Sequence, residues 1–472
     1  MTKSKTQKKR EPNITIALIP ILTMALLLIV GYGVYKIKPQ VLLVCAAIIT
    51  GCVALYLGLS WKEMQDGIVE SIHKALPAIL IMICVGILIG SWMCSGTIPL
   101  IIYYGLKLIS PKFFLVTACI VCSVSSIATG TSWGTIGTLG VAFIGIAMAQ
   151  GIPLGAAAGA IVAGAYFGDK MSPFSDVTNL APVAAGSNLF DHIKHMFWSA
   201  GPAWLIGLLF YFIIGLKYQP ETVESVNISL IMTTLKSNFQ FNILLLLPII
   251  VVFYFAFTKK PVIPGMLLSS IIAVLLGFLF QNESLNVISK AVNSGYPSHT
   301  GVPLVDNLLS RGGMMSMMET QLVAFTAFAF GGIMQRTGLL NVLLDRVMKF
   351  ADKVWSIVVT TVITSLVTAL VTGSSYLSMI IPGELLAPIF KKKKLAAKNL
   401  SRIIEEAGAI IVPLIPWSMA GVYITGTIGV STFEYLPYAF MNYISVVILV
   451  IFGFTKISMA PKINEDETIP GS

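Results

Sequence analysis

Charge is the scarcest feature of this sequence. Only 11% of its 472 residues are Asp, Glu, Lys or Arg, while 56% are hydrophobic. A soluble domain carries roughly 25% charged residues, so a water-soluble globular chain is excluded. Histidine occurs four times, and the six cysteines (Cys45, Cys52, Cys84, Cys94, Cys119, Cys122) all fall in apolar runs. That placement suits small packing residues and argues against a disulfide framework. Cys119-x-x-Cys122 has metal-like spacing but no second ligand pair nearby. A phosphate-binding glycine loop and a catalytic triad are also missing, so ATP-driven work and enzyme chemistry are not expected, nor is any cofactor. Lys and Arg exceed Asp and Glu by ten. The surplus sits in tails and loops, at Lys3, Lys5, Lys8, Lys9 and Arg10 and again at Lys391–Lys394. Such clusters mark cytoplasmic ends of membrane helices rather than a nucleic-acid surface.

What the chain does have is apolar runs of roughly 17–25 residues without period-two alternation, each long enough to cross a bilayer as a helix. Only helices and closed barrels satisfy their backbone in lipid. The expectation is an all-α polytopic membrane protein of about 11–13 spans, its N-terminus cytoplasmic and its first run, Ile14–Val34, a retained span rather than a cleaved signal. Trp61–Asp66 reads as a cytoplasmic loop, and Gln281–Glu319 as a connection with amphipathic or interfacial helices.

One stretch is too polar for lipid. Tyr166–Pro182 sets Asp169, Lys170, Ser172, Ser175, Asp176, Thr178 and Asn179 around Pro173, directly after the small-residue run Leu154–Ala165. Small residues let membrane helices approach closely, so the polar stretch enters a packed interior. Proline removes a backbone donor and breaks the helix between the two acids. A broken helix at membrane depth survives only inside protein or along a water-filled cavity. Freed carbonyls, carboxylates and hydroxyls are hard oxygen donors suited to a small hard cation. A second polar interruption, Thr129-Gly-Thr-Ser-Trp-Gly-Thr135, adds Thr129, Thr131, Ser132 and Thr135 as neutral ligands or as donors to nearby backbone carbonyls.

The pattern then returns. Gly86–Gly96 is echoed by Phe330–Gly338, Thr129–Ser132 by Thr372–Ser375, and Gly168–Asp176 by Gly408–Ala420, with Pro413 standing for Pro173, at an offset of 240 to 243 residues. Duplicated units with interrupted helices at corresponding positions point to a secondary transporter and its binding site. The uncharged turn Gln150–Pro153 faces a counterpart carrying Lys391–Lys394, as expected of inverted repeats whose breaks meet near the midplane. The chain is therefore divided into a basic tail (1–13), two scaffold spans (14–66), repeat 1 (67–217), a linker with two spans and an interfacial segment (218–318), repeat 2 (319–456) and a polar tail (457–472).

On this reading Na+ and protons compete for Asp169 and Asp176, because a buried carboxylate is costly unless paired, hydrated or protonated. Thr372, Ser374, Ser375, Trp417 and Ser418 could face the same cavity. Lys170 either neutralises Asp169 or snorkels to the interface. Glu384, Glu405 and Glu406 are intramembrane or interfacial acids. For Glu405 and Glu406, beside Arg402, an exposed salt-bridged face is expected, and for His192 and His195 a solvated one.

The Gly168–Pro182 motif, with Ala128–Gly137, resembles the NhaC-type sodium/proton antiporters of the ion-transporter superfamily, a family that includes malate/lactate exchangers coupled to Na+ and H+. The likeness runs from about Ile68 to Phe454. It implies a bacterial plasma-membrane exchanger with cation sites at the broken helices, here Asp169, Asp176 and the Thr129–Thr135 break, and a homodimer by analogy with related folds. It leaves two cargoes open: Na+/H+ alone, or a small carboxylate such as malate or lactate, for which Arg336 is a candidate partner or an interfacial anchor. A channel is the third reading, disfavoured by broken helices in a repeat.

Overall fold

The computed structural model describes residues 10–35, 37–217, 222–258 and 260–461. The lysines of the basic tail and most of the polar C-terminal tail lie outside the described residues. In chain order the helices are α1 (Ile14–Leu26, continued by a π segment Leu27–Val34), α2 (Pro39–Tyr56), α3 (Trp61–Cys94), α4 (Thr97–Leu108), α5 (Phe114–Thr129), α6 (Ser132–Thr135, continued by a π segment Ile136–Gly140), α7 (Val141–Ala149), α8 (Leu154–Met171), α9 (Asp176–Ala185) and α10 (Leu189–Gly215). Next come α11 (Thr222–Asn238), α12 (Leu247–Phe257), α13 (Val262–Phe280), α14 (Leu285–Ser294) and α15 (Pro303–Leu309). The last group is α16 (Met318–Arg336), α17 (Leu339–Met348), α18 (Val354–Thr372), α19 (Leu377–Lys392), α20 (Ala397–Glu405, continued by a π segment Glu406–Ile410), α21 (Met419–Ile428), α22 (Thr432–Tyr435) and α23 (Phe440–Thr455). Among the described residues β pairing is confined to one isolated bridge, Leu395 with Pro461.

Among the described residues nine helices are long and apolar enough to cross a membrane, twelve if each of three bent pairs counts as one span. The fold is thus the all-α polytopic one expected. Trp61–Asp66 is not a loop. Ser60 accepts from Glu63 N at 3.3 Å and Glu63 Oε2 accepts from Ser60 N at 2.8 Å, a reciprocal cap that starts α3 at Trp61. The long connection after α13 is structured against α3: a Cβ at Gly90 would stand 2.0 Å from Ala291 O, and Gly313 N donates to Gly86 O at 2.7 Å.

The series α3, α4, α5, α6–α7, α8, α9 is matched by α16, α17, α18, α19, α20, α21. Glycines in the left-handed region recur at the same junctions: Gly96 and Gly338 before α4 and α17, Gly130 and Gly373 after α5 and α18, Gly186 and Gly429 after α9 and α21. Only glycine enters that region without strain, so three matched pairs 242 or 243 residues apart mean the same backbone built twice. The small-residue helix α8 packs as expected: a Cβ at Gly164 would sit 2.2 Å from Cys119 O of α5.

Candidate ion-binding site

The helix break lies where Pro173 places it. α8 ends at Met171, and Ser175 caps α9 by accepting from Thr178 N at 3.3 Å. Gly130 presses against it, for a Cβ there would lie 2.6 Å from the Phe174 carbonyl carbon. Repeat 2 repeats this contact. Ser418 caps α21 by accepting from Gly421 N at 2.9 Å, and Met419 N donates to Gly373 O at 2.9 Å. Since Ser418 occupies the place of Ser175, the counterpart of Pro173 is Pro416 and not Pro413 as the sequence echo suggested. Asp169 then faces Val412 across the repeat, and Asp176 faces Met419. The N-cap geometry, which a proline-to-proline match does not detect, sets the register.

Around the first break the buried charges converge. Asp169 is 3% exposed, with Oδ2 accepting from Ser132 Oγ at 3.0 Å and lying 3.6 Å from Lys170 Nζ. Its Oδ1 is buried without a hydrogen-bond partner. Lys170, 1% exposed, also lies 3.4 Å from Glu405 Oε1 on α20, to which Thr178 Oγ1 donates at 2.9 Å. Glu405 Oε2 accepts from His192 Nε2 of α10 at 2.5 Å, and the other ring nitrogen, Nδ1, meets Ser401 Oγ at 2.9 Å. Ser401 serves either form of the ring. It can donate to a neutral imidazole, or accept from a charged one while giving its own hydrogen to Lys398 O at 3.1 Å. The lysine is therefore shared by one carboxylate from each repeat. At about 3.5 Å and an effective dielectric near 20, each contact is worth on the order of 5 kcal/mol, similar to the several kcal/mol each buried ion loses in desolvation.

A family model described as the Na+/H+ antiporter family matches residues 164–457, which contain Asp169, Lys170, Thr178, His192 and Glu405 of this cluster. The chain belongs to that family. It is 42% identical over 461 residues to an uncharacterised Na+/H+ antiporter of Haemophilus influenzae, covering 96% of this chain and 98% of that one. It is 34% identical to the Na+/H+ antiporter NhaC of Alkalihalophilus pseudofirmus, over 96% and 97% of the two chains. To the malate-2H+/Na+-lactate antiporter of Bacillus subtilis it is 33% identical, over 93% and 94%.

In this family member the other expected site residues divide. Asp176 stands exposed at the first turn of α9, its carboxylate taking the Tyr376 hydroxyl from repeat 2 and its own Val177 N at 2.9 Å. Ser132 and Thr178 join the buried cluster. Thr129 donates to Ser125 O at 2.9 Å, Thr131 caps α6 through Gly134 N at 3.1 Å, Thr135 meets Ser125 at 3.3 Å, and Ser172 accepts from Phe174 N at 3.3 Å. Asn179 ties down Pro173 O at 2.9 Å. These groups hold the break in shape. In repeat 2, Thr372 donates to Thr368 O at 2.7 Å, Ser418 to Val412 O at 2.7 Å and Trp417 to Leu370 O at 2.8 Å, while Ser375 is half-buried. Thr372, Ser374 and Tyr376 line a cavity of about 240 Å³ with Ser71 and Lys74. Arg336 is exposed at the end of α16 and does not line it.

Two expectations are overturned. Glu405 and Glu406 are fully buried rather than on a solvated face, and His192 and His195 are buried at 0% and 7% exposure. Of the two roles left open for Lys170, the structure has it buried beside Asp169 and not snorkelling. The missed signal was alternation of charge with apolar residues along α20: its polar side meets α10 and α9 instead of water, a choice made by packing. Among the described residues no three His, Cys, Asp or Glu side chains converge as a metal cluster, which an oxygen site of hydroxyls and carbonyls does not require.

Proposed function

We propose that this chain exchanges Na+ for H+ across a bacterial plasma membrane by alternating access, with Asp169 taking each ion in turn. The observation that carries it is the buried, unpartnered Asp169 Oδ1 beside a lysine already within reach of Glu405. With His192 neutral, Asp169, Glu405 and Lys170 carry one net negative charge, which either one Na+ or one proton cancels. Sodium would take Asp169 and Ser132, leaving Lys170 to Glu405. Proton binding neutralises Asp169 and gives Lys170 the same partner. Either loaded form is uncharged as a unit and can move through the low-dielectric interior, whereas the empty form cannot. That restriction couples the two ions.

The repeats are read as inverted, with the N-terminus and the Lys391–Lys394 turn cytoplasmic and the Gln150–Pro153 turn outside, and the family analogy favours a homodimer. A second reading, exchange of a small carboxylate with Na+ and H+, is supported by the 240 Å³ cavity, which has hydroxyls and Lys74, here paired with Glu70 at 2.8 Å, in its lining, whereas Arg336 lies outside it. The test uses purified protein in liposomes with an internal pH dye. Proton efflux on adding external NaCl alone supports Na+/H+ exchange. Silence until malate and lactate are placed on opposite faces would overturn it in favour of the second reading.

A further inference from the structure

The cluster at Asp169 leaves one buried acid unused. Glu406 is fully buried at the start of the π segment Glu406–Ile410, and among the described residues no cation lies within ion-pairing distance of it. One carboxyl oxygen is hydrogen-bonded to Ser199 of α10 and the other, Oε2, has no partner. One turn earlier, Arg402 is also fully buried, yet its guanidinium is turned the other way, to Ser458 Oγ at 2.7 Å and Ser458 O at 3.0 Å, with Nε unpartnered. An orphaned acceptor and an orphaned donor thus stand four residues apart on one helix, within reach of each other but not paired. A π segment frees backbone groups and commonly marks a functional site. Here Ser378 Oγ and Asn442 Nδ2 satisfy the freed Gly408 and Ile410 carbonyls at 2.7 Å each, so the segment is held rather than strained. In repeat 1 the position 243 residues earlier is Ala163, so the acid belongs to one repeat only.

We propose that Glu406 is a second proton-carrying carboxyl, loaded and unloaded within each exchange cycle separately from Asp169, with Arg402 as its partner when empty. Loaded, the carboxylic O–H donates to Ser199 Oγ, and Ser199 passes its own hydrogen to Met196 O at 3.4 Å. Unloaded, the O–H bond breaks, the proton leaves to water, and the carboxylate draws the guanidinium of Arg402 away from Ser458, its free Nε–H pairing with the free Glu406 Oε2. Its own helix carries Arg402 and Glu405 beside Glu406; of the helices packed around it, α10 carries the buried His192 and His195 and the exposed Asp191 and Lys194, and α23 carries the half-buried Tyr443. α18 contributes no titratable side chain, and on α19 Glu384, Lys391 and Lys392 are exposed. An isolated buried acid with a neutral hydrogen-bond partner is stable only as the acid, which makes it a proton store until its environment changes.

This inference rests on the Na+/H+ reading, and its test separates the two. In proteoliposomes clamped with K+ and valinomycin, the potential at which Na+ flux reverses gives the protons moved per Na+. Glu406→Gln should lower that ratio by one proton, to one per Na+, so that Na+-dependent exchange persists but no longer reverses with potential; an unchanged reversal potential overturns the proposal. Infrared difference spectra between two pH values supply a readout independent of transport. A carboxylic-acid band should be present in the wild type and in Asp169→Asn, absent in Glu406→Gln, and shifted in Ser199→Ala, which keeps the acid but removes its hydrogen-bond partner. A band unaffected by Glu406→Gln, or unmoved in Ser199→Ala, sinks the assignment even if a variant is inactive. Wild-type liposomes without Na+-driven proton flux would instead fault the exchange reading.

Discussion

The two helix breaks share one backbone and differ in chemistry. Gly130 and Gly373 turn the chain at the same place, Ser175 and Ser418 cap the helix that follows, and Pro173 and Pro416 precede those caps. Yet where repeat 1 has Asp169-Lys170, repeat 2 has Val412-Pro413, and where repeat 2 has Glu405-Glu406, repeat 1 has Val162-Ala163. Each repeat supplies charges at a level where the other is apolar, and Glu405 of repeat 2 finds its partners, Lys170 and His192, in repeat 1. The scaffold comes from repetition of structure, and the site comes from the places where that repetition fails.

The comparison breaks most sharply at Asp169. On the proposed exchange, Asp169→Asn removes the carboxylate that trades Na+ for a proton, and Na+-driven proton flux should fall to the protein-free background, with the protein still monodisperse in detergent. Asp176→Asn, exposed and bonded only to Tyr376 and its own helix, should reduce flux a few-fold; equal loss in both would return Asp176 to the site. Next in size is Glu405→Gln, which leaves His192 buried without its acid and Lys170 with Asp169 alone. Breaking a buried pair by removing one partner costs about 3–5 kcal/mol, so the thermal midpoint should drop clearly. Adding Lys170→Gln should recover part of that drop, and an additive double variant would remove the claimed pairing.

Gly130→Ala against Gly373→Ala sharpens the backbone side of the comparison. Both force alanine into the left-handed region, at about 1–2 kcal/mol. Gly130 also faces Phe174 backbone at 2.6 Å, whereas the nearest atom to a Cβ at Gly373 is at 3.3 Å. The larger loss of thermal stability should fall on Gly130→Ala. Cysteine at Pro153 and at Lys392, both on exposed turns, should leave flux unchanged and be labelled from opposite sides of the membrane; labelling from one side only would end the inverted reading. The smallest effect belongs to Asp352, outside the spans, whose carboxylate is held below its usual range by the hydrogen bond from Lys393 at 2.8 Å. With its pKa lowered by folding, any stability it adds is present above the usual carboxylate range and fades as pH falls through the folded value. Asp352→Asn should therefore lower the thermal midpoint only slightly at pH 7 and not at all well below the folded pKa; an equal drop at both would show that its ionised carboxylate adds nothing.

Much of this was legible in the chain. The span pattern, the break at Pro173, the interruption at Thr129–Thr135 and the returning glycines are local properties, set by hydrophobic run length and by residues with restricted or unusually free backbones. The register of the second break was misread by three residues because prolines were matched instead of caps. Glu405, Glu406, His192 and His195 were misread because α20 looks amphipathic, and a polar helix face reads the same whether it meets water or another polar face.

By itself the sequence determined a multi-span helical membrane protein with a duplicated, proline-broken helix and a carboxylate at the break, because those follow from neighbours along the chain. Only the tertiary structure decided which charges meet. Lys170 and Thr178 reach Glu405 across 235 and 227 positions of sequence, and His192 reaches it across 213. Partners that distant leave no local trace, and in a low-dielectric interior it is the partner that determines whether a carboxylate holds a lysine, a sodium ion or a proton.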